Sequence, residues 1–412
     1  MSELTRYPSY KDSGVPWLGE IPSHWHIKRL KFAISNISQK VDAQSSSSRY
    51  FGLENIESFT GKLLNKIELT SEGVAHQFEK NDVLFGKLRP YLAKVYLAKT
   101  EGLSSTEALI FRPSSEIAPK FLFYYCLSQD FINEVNGTTF GSKMPRANWD
   151  NISSLAMVIP SLDEQKSLTD FLDAQLDKID AIIYKQKILL NKLEEQRLAI
   201  ITNAVTKGLD HNVPMQSSYI EGLEELPLHW QIKRLKFMAK IKNGSDYKHI
   251  ISDEGYPVIG SGGEFATASE YLYKGESVLL GRKGTIDRPL YVNCAFWTVD
   301  TMYYTEINEH TFPKYLFYCS LTIDFWKYST QTALPSMTQT ALSNLLFAVP
   351  EYHEQELIAK FLDAETSKID AISLNTKSLI NTLKEYRSAL ITQAVTGKID
   401  VRGFNSDQQG AT

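Results

Sequence analysis

Asp163-Glu164-Gln165-Lys166 has the acid-to-lysine spacing of a nuclease Asp/Glu-x-Lys motif. It stands, however, at the first turn of a long helical pattern, where carboxylates complement the positive end of the helix dipole, so capping is the better reading. Gly260-Ser261-Gly262-Gly263 lacks the third glycine and the following helix of a dinucleotide fingerprint and reads as a turn. The sequence has no Gly-x-x-x-x-Gly-Lys-Ser/Thr phosphate loop and no Asn-Pro-Pro-aromatic run of an amino-methyltransferase. Its eight histidines form no His-x-x-x-His or Cys/His cluster for zinc. Cys126, Cys294 and Cys319 lack metal-ligand spacing and are too few for a disulfide framework, so reduced thiols packed in the core are expected. With no nucleophile, metal cage or nucleotide loop, the chain is expected to perform no covalent chemistry and to bind no cofactor or metal of its own.

Basic side chains at glycine turns are the remaining chemically useful group. Lys87 and Arg89 follow Gly86, while Arg282 and Lys283 follow Gly281, with Arg288 further on. Ser142, Lys143 and Arg146 lie in the loop Gly141-Ser142-Lys143-Met144-Pro145-Arg146. Such groups suit phosphates and base edges. For any single one, a solvated loop charge is the competing reading.

The elements that would carry these turns emerge from a repeat. His24-Trp25-His26-Ile27-Lys28-Arg29-Leu30-Lys31-Phe32 returns 205 residues later as His229-Trp230-Gln231-Ile232-Lys233-Arg234-Leu235-Lys236-Phe237. Pro119-Lys120-Phe121-Leu122-Phe123-Tyr124 returns after 194 as Pro313-Lys314-Tyr315-Leu316-Phe317-Tyr318. From Glu164-Gln165 to Ala204-Val205-Thr206 the offset is a constant 190, ending in Ala394-Val395-Thr396. A segment that tolerates length changes is a lobe with surface loops; one that tolerates none is a helix packed along its length. The expected order is therefore an N-terminal arm (1–24), a first lobe (25–160), a first long helix (161–207) and a linker (208–229). A second lobe (230–350), a second long helix (351–397) and a C-terminal tail (398–412) follow.

Steps of four and three along the long helices trace a heptad seam. It comprises Leu172, Leu176, Ile179, Ile183, Leu190, Leu193 and Ile200, then Leu362, Ile369, Ile380, Leu383 and Leu390. Gln186, Arg197, Thr376 and Arg387 interrupt it, and either fix the register or mark loose packing. Ser161 with Glu164 forms a capping box, and Gly208 and Gly397 stand where helices end. About 44 helical residues span on the order of 66 Å. Two such helices satisfy each other most economically as an antiparallel coiled coil, although each recruiting an outside helix would also cover the seams. Within the lobes, short β-rich runs with punctuating glycines combine with Phe- and Tyr-rich helices at Pro119 and Pro313, whose aromatic stripe reads as core. Trp25 and Trp230 read as packing anchors. The fold class is α+β, with two mixed α/β lobes separated by two long helices and an internal pseudo-twofold repeat.

The chain has 412 residues, 43% hydrophobic and 22% charged, as expected for a soluble globular protein of more than one domain. No run approaches the roughly 20 apolar residues of a membrane helix, and Met1 to Asp12 lacks the apolar core of a signal peptide, so a cytoplasmic protein without membrane contact is expected. The net charge of −4 lacks the basic excess of a protein gripping nucleic acid by charge alone. The first lobe nevertheless carries 16 basic against 13 acidic residues and the second 12 against 11, with the acidity on the long helices and linkers.

These residues resemble the specificity subunits of type I restriction and modification enzymes. The resemblance rests on Tyr10-Lys11-Asp12-Ser13-Gly14, on Trp17-Leu18-Gly19-Glu20-Ile21-Pro22-Ser23-His24-Trp25 and on the twin His-Trp-x-Ile-Lys-Arg-Leu-Lys-Phe segments. Gly52-Leu53-Glu54-Asn55-Ile56, Phe85-Gly86-Lys87-Leu88-Arg89-Pro90 and the Pro-x-x-x-Glu-Gln helix starts at Pro160 and Pro350 complete it. It spans nearly the whole chain and implies two target-recognition domains, each reading half of a bipartite site in double-stranded DNA. It implies as partners two modification subunits, which methylate adenine from S-adenosylmethionine, and two restriction subunits, which use ATP and Mg2+. It offers no catalytic residue to carry over. The second lobe departs from the first by carrying Arg282-Lys283-Gly284-Thr285 in place of Lys-Leu-Arg-Pro and by lacking Gly-Leu-Glu-Asn-Ile. The two half-sites should therefore differ. A protein-only adaptor on the same frame and a stand-alone DNA-modifying enzyme are the alternatives.

Overall fold

The computed structural model describes residues 5–45, 48–64, 73–220, 222–330 and 335–404. The chain divides into two compact units, Met1–Gln186 with Ser378–Thr412, and Lys187–Lys377. Each holds one lobe, the start of one long helix and the end of the other.

The lobe of unit 1 has two four-stranded sheets. One is ordered Lys40–Asp42, Val74–Phe78, Gly102–Ser105, Tyr50–Phe51; the other is ordered Ile34–Ile37, Ala108–Pro113, Val83–Gly86, Val95–Leu97. Val83–Gly86 is buried throughout and reads as an unbroken apolar run rather than an alternating one, since both of its faces are covered. Phe85 stacks on Phe111 and meets Phe131 edge-on. Phe121, Tyr124 and Tyr125 of the helix at Pro119, and Tyr315 and Tyr318 of the helix at Pro313, are buried, so the aromatic stripe is core. Unit 2 instead builds one six-stranded sheet, ordered Ala239–Asn243, Met302–Ile307, Tyr273–Gly281, Leu290–Thr298, Ile251–Gly260, Gly263–Ala268. Gly260-Ser261-Gly262-Gly263 is the turn of its last hairpin.

A short antiparallel pair closes each lobe at its base, His26–Arg29 with Ala156–Ile159 and Gln231–Arg234 with Leu346–Val349. The base launches a long helix, Leu162–Lys207 in the first case and Tyr352–Val395 in the second. Ser161 Oγ accepts from the Glu164 amide at 3.3 Å while Glu164 Oε2 accepts from the Ser161 amide at 3.4 Å, a reciprocal capping box. Gln165 is fully buried and ties the helix to the lobe. Its side chain accepts from the Ala118 amide and donates to the Glu116 and Pro160 carbonyls, and Gln355 repeats this with Phe312, His310 and Pro350.

The two tryptophans fix the helix directions. The Trp25 indole N–H donates to Glu164 at the start of the first long helix, and its ring lies against Gly397, just past the end of the second. In unit 2, Trp230 joins Glu354 at the start of the second helix to Gly208 after the end of the first. A start and an end sharing one anchor make the helix segments antiparallel within each unit. Arg387 reaches Asp180 at 3.0 Å and the Phe59 carbonyl at 2.8 Å in unit 1, and Arg197 reaches Asp370 at 3.5 Å in unit 2. Both seam arginines therefore pair across the helices, which is the register-fixing reading. All twelve apolar seam positions are buried or half-buried. Thr376 satisfies its hydroxyl on the Ile372 carbonyl of its own helix, and Gln186 is half-buried.

Four expectations change. Residues 208–229, read as a linker, contain a hairpin, Met215–Ile220 with Leu223–Pro227. The arm 1–24 contains its counterpart, Tyr10–Asp12 with Glu20–Pro22. Both fold because they carry apolar residues needing cover: Leu18 and Ile21 in one, Leu223 and Leu226 in the other, all buried. The tail is not free through 404. Ile399 and Val401 are buried, and the Asp400 amide donates to the Thr5 carbonyl; the rest of the tail, 405–412, lies outside the described residues. Cys126 and Cys319 are buried, and burial pushes the Cys319 thiol up to about 12, but Cys294 is exposed, facing outward from the strand Leu290–Thr298.

Candidate nucleic-acid interface

In unit 1 the strand Val83–Gly86 delivers the chain to a basic turn. The Lys87 amide donates to the Glu107 carbonyl, the Ala147 amide to the Lys87 carbonyl and the Arg89 amide to the Pro145 carbonyl, all within 3.0 Å. Leu88 bridges to Arg146, and Arg146 to Phe140. Lys87, Arg89 and Arg146 thus share one two-loop element, and Ser142 and Lys143 are exposed near its apex beside Gly141 at φ +87°. Arg89 itself is exposed and held at φ +51°, a left-handed conformation costly for a side chain other than glycine and kept here by the backbone bonds on either side. Arg146 forms a bidentate pair with Glu107, at 3.1 and 3.0 Å, which fixes its guanidinium fork.

Unit 2 repeats the backbone with other side chains. The Arg282 and Lys283 amides donate to the Thr301 carbonyl, the Met337 amide to Arg282 and the Gly284 amide to Pro335, while Lys283 bridges to Ser336. A Cβ on Gly281 would lie 2.6 Å from the Ile286 Cα, so the strand end demands glycine. Arg282 donates to the Asp300 carbonyl at 3.1 Å and lies over the Tyr303 ring, so part of its work is within its own lobe. Lys283 is exposed, and Arg288 is exposed further along the same loop.

Sequence reasoning missed Glu107, which orients Arg146, because nothing local links residues 39 apart. It also missed Phe140 and Met144, large apolar side chains exposed beside Lys143 at the loop apex. Exposed apolar groups flanked by cations are what a DNA-bending wedge uses. Among the described residues no group of acidic, His or Cys side chains could hold a metal ion, and no helix is long and apolar enough to cross a membrane.

Two fastened basic turns, one per lobe on duplicated bases, define a two-headed reading protein. The chain belongs to the type I restriction modification DNA specificity family, whose domain profile matches residues 50–194 and 227–384. Its sequence is 22% identical to the type I restriction enzyme MjaVIII specificity subunit of Methanocaldococcus jannaschii, over 93% of this chain and 95% of that one. It is 26% identical to the EcoDI specificity subunit of Escherichia coli over 190 residues, 44% of this chain and 42% of that relative, so that alignment spans less than half of the E. coli protein. In fold it is similar to a chain from a structural study of complex assembly and conformational transition of the type I R-M system, with a TM-score of 0.74, 18% identity, and coverage of 91% of this chain and 98% of that one. The HsdS subunit from Thermoanaerobacter tengcongensis gives a TM-score of 0.52 at 18% identity, covering 92% and 98%.

Proposed function

We propose that the chain reads an asymmetric, bipartite site in double-stranded DNA, one half per lobe, and does no covalent chemistry itself. The observation that carries this reading is the repeated two-loop element. In both units a strand-end glycine is followed by basic residues bonded through the backbone to a proline-containing loop, Pro145 in one and Pro335 in the other. The same backbone presents Lys87, Arg89 and Arg146 in one lobe and Arg282, Lys283 and Ser336 in the other. Different donors on a common frame read different bases. The paired long helices fix the number of unread base pairs between the half-sites.

The partners are two modification subunits and two restriction subunits. S-adenosylmethionine, ATP and Mg2+ belong to those partners, and the adenine to be methylated is flipped into the modification subunit's pocket. The nearly neutral lobes agree with this division, since clamping by partners supplies the phosphate contacts that dominate affinity. The assembly works in the cytoplasm, where the DNA is.

The test is genome-wide mapping of N6-methyladenine in a host expressing this chain with its modification subunit, against a host lacking the chain. A split, asymmetric motif with a fixed gap is the expected result. Identical maps, with assembly and partner activity demonstrated, would favour a protein-only adaptor. Turnover of DNA by the purified chain alone would favour a stand-alone enzyme.

A further inference from the structure

Of the nine residues from His24 to Phe32, eight recur from His229 to Phe237, although the lobes that follow have diverged into different sheet architectures. Packing accounts for part of that identity. Trp25, Leu30, Trp230 and Leu235 are buried, and His24 and His229 bond to Glu164 and Glu354. Packing does not account for Arg29, Lys31 and Phe32, which are exposed, as are Arg234, Lys236 and Phe237. Each phenylalanine ends a single 3-10 turn, Leu30–Phe32 or Leu235–Phe237, with 66% or 61% of its surface in solvent. The side-chain arrangement is repeated as well: Lys31 Nζ stands 5.2 Å from the Phe32 ring centroid and Lys236 Nζ 5.1 Å from that of Phe237. Lys28 pairs with Glu116, but Arg29, Lys31, Arg234 and Lys236 have no acidic partner among the described residues. Surface substitutions are nearly neutral for stability, so solvent-facing identity across two diverged copies points to binding.

In both lobes one strand holds this corner away from the basic turn. In unit 1 the Lys87 amide donates to the Glu107 carbonyl at one end of Ala108–Pro113, and the Ser114 amide donates to the Ala33 carbonyl, next to Phe32, at the other. In unit 2 the Arg282 amide donates to the Thr301 carbonyl at one end of Met302–Ile307, and the Asn308 amide donates to the Met238 carbonyl, next to Phe237, at the other. Each span is seven residues, about 23 Å at about 3.3 Å per residue. That is about twice the width of the major groove, about 12 Å, that a basic turn would enter.

We infer that Phe32 and Phe237, each flanked by its lysine and arginine, are two equivalent docking points for the modification subunits, each phenylalanine entering an apolar socket edged with carboxylates. The inference rests on the assembly proposed above and assigns two of its points of grip. Two copies of one corner call for two copies of one partner. The modification subunit is the partner needed once per lobe, because the adenine of each half-site is flipped into its pocket. Charge sets the chemistry of its surface: cations without acidic partners beside an aromatic anchor fit acidic groups around an apolar pocket, and aromatic and arginine side chains carry much of the binding energy at protein interfaces.

The test is analytical ultracentrifugation of the full-length chain with its modification subunit, without DNA. Wild type should bind two subunits. Phe32→Ser and Phe237→Ser should each weaken one of the two sites at least about ten-fold and leave the other intact, and the double variant should lose both. Lys31→Glu, which leaves the ring in place and reverses the charge beside it, should weaken the Phe32 site alone. Since all of these side chains are exposed, the melting temperature of the chain should not change. Two subunits held by the double variant with wild-type affinity would overturn the assignment. So would a double variant that keeps its subunits but binds a duplex of arbitrary sequence more weakly, which would make the corner a phosphate contact, or one altered only in self-association, which would make it a contact between copies of this chain. Failure of the DNA-reading proposal would appear separately, as a methylation map without a motif from an assembly that still holds two modification subunits.

Discussion

At the scale of single residues, the cations of the two basic turns differ in what holds them. Arg146 is half-exposed and paired with Glu107, and a pair so placed contributes little to stability, about 0 to 1 kcal/mol. Arg146→Ala should therefore leave the melting temperature nearly unchanged. If the oriented fork reads a base edge, the substitution weakens DNA binding by the assembled complex by about 1 to 3 kcal/mol and relaxes the sequence preference at one position. Unchanged affinity and preference in a competition assay would make Arg146 a loop charge. Arg282→Ala should behave differently, lowering the melting temperature as well as affinity, because its guanidinium also supports Asp300 and Tyr303. Glu164 gives a pH dependence. Burial raises its pKa, but hydrogen bonds from His24, Trp25 and Ser161 outweigh burial and hold the carboxyl below its ordinary value. A carboxylate depressed on folding adds stability above its unfolded pKa, and that stability is lost as pH falls through the folded value. The gap in melting temperature between wild type and Glu164→Gln should thus be full at neutral pH and shrink on acidification below the ordinary glutamate range. A gap independent of pH from 7 to 3 would remove the ionised carboxylate from the account.

At the scale of elements, the ends of the long helices are the most exacting positions. Gly397 has φ +74°, its amide bonds to Ala394 and the next amide to Gln393, the two bonds of a Schellman motif. A Cβ there would also lie 2.4 Å from Pro22 and 2.9 Å from the Trp25 ring. Gly208 shares the conformation, at φ +76°, but its nearest approach to Trp230 is 3.2 Å. Gly397→Ala should destabilise beyond the roughly 1 to 2 kcal/mol that a left-handed alanine costs, and Gly208→Ala by about that amount. Denaturant unfolding measures the difference, and equal losses would mean that Pro22 and Trp25 give way. These helices were legible in the sequence because their signals are local and periodic: a capping box, a heptad seam and a terminal glycine. The hairpins at 10–22 and 215–227 were less so. Their strands are short, and what folds them is burial of Leu18, Ile21, Leu223 and Leu226, which no local pattern announces. The basic turns could be found from glycine followed by cations. Their fastening to Pro145 and Pro335 could not, since it joins segments more than 50 residues apart. Nor could the sheet architecture, because repeated strand signals do not say that one lobe splits them between two four-stranded sheets while the other gathers them into one of six.

For the whole molecule, the long helices matter through their register. Asp180 with Arg387, and Arg197 with Asp370, are the same pair in two copies, and Arg197 lies as far along the first helix from Asp180 as Asp370 lies back along the second from Arg387. An insertion between Asp180 and Arg197 therefore needs a matching one between Asp370 and Arg387 if both pairs are to survive. A seven-residue block keeps the heptad phase and adds about 10 Å to a helix, close to three base pairs at about 3.4 Å each. Blocks placed in both helices should widen the gap of the recognised site by about three base pairs and leave both half-sites unchanged. A block in one helix alone should break one pair and slip the seam, lowering stability without yielding a defined new gap. Methylation mapping of the doubly extended chain decides the point. Altered half-sites with an unchanged gap would mean that the helices do not measure the DNA, and that the distance between half-sites is set by the partner subunits.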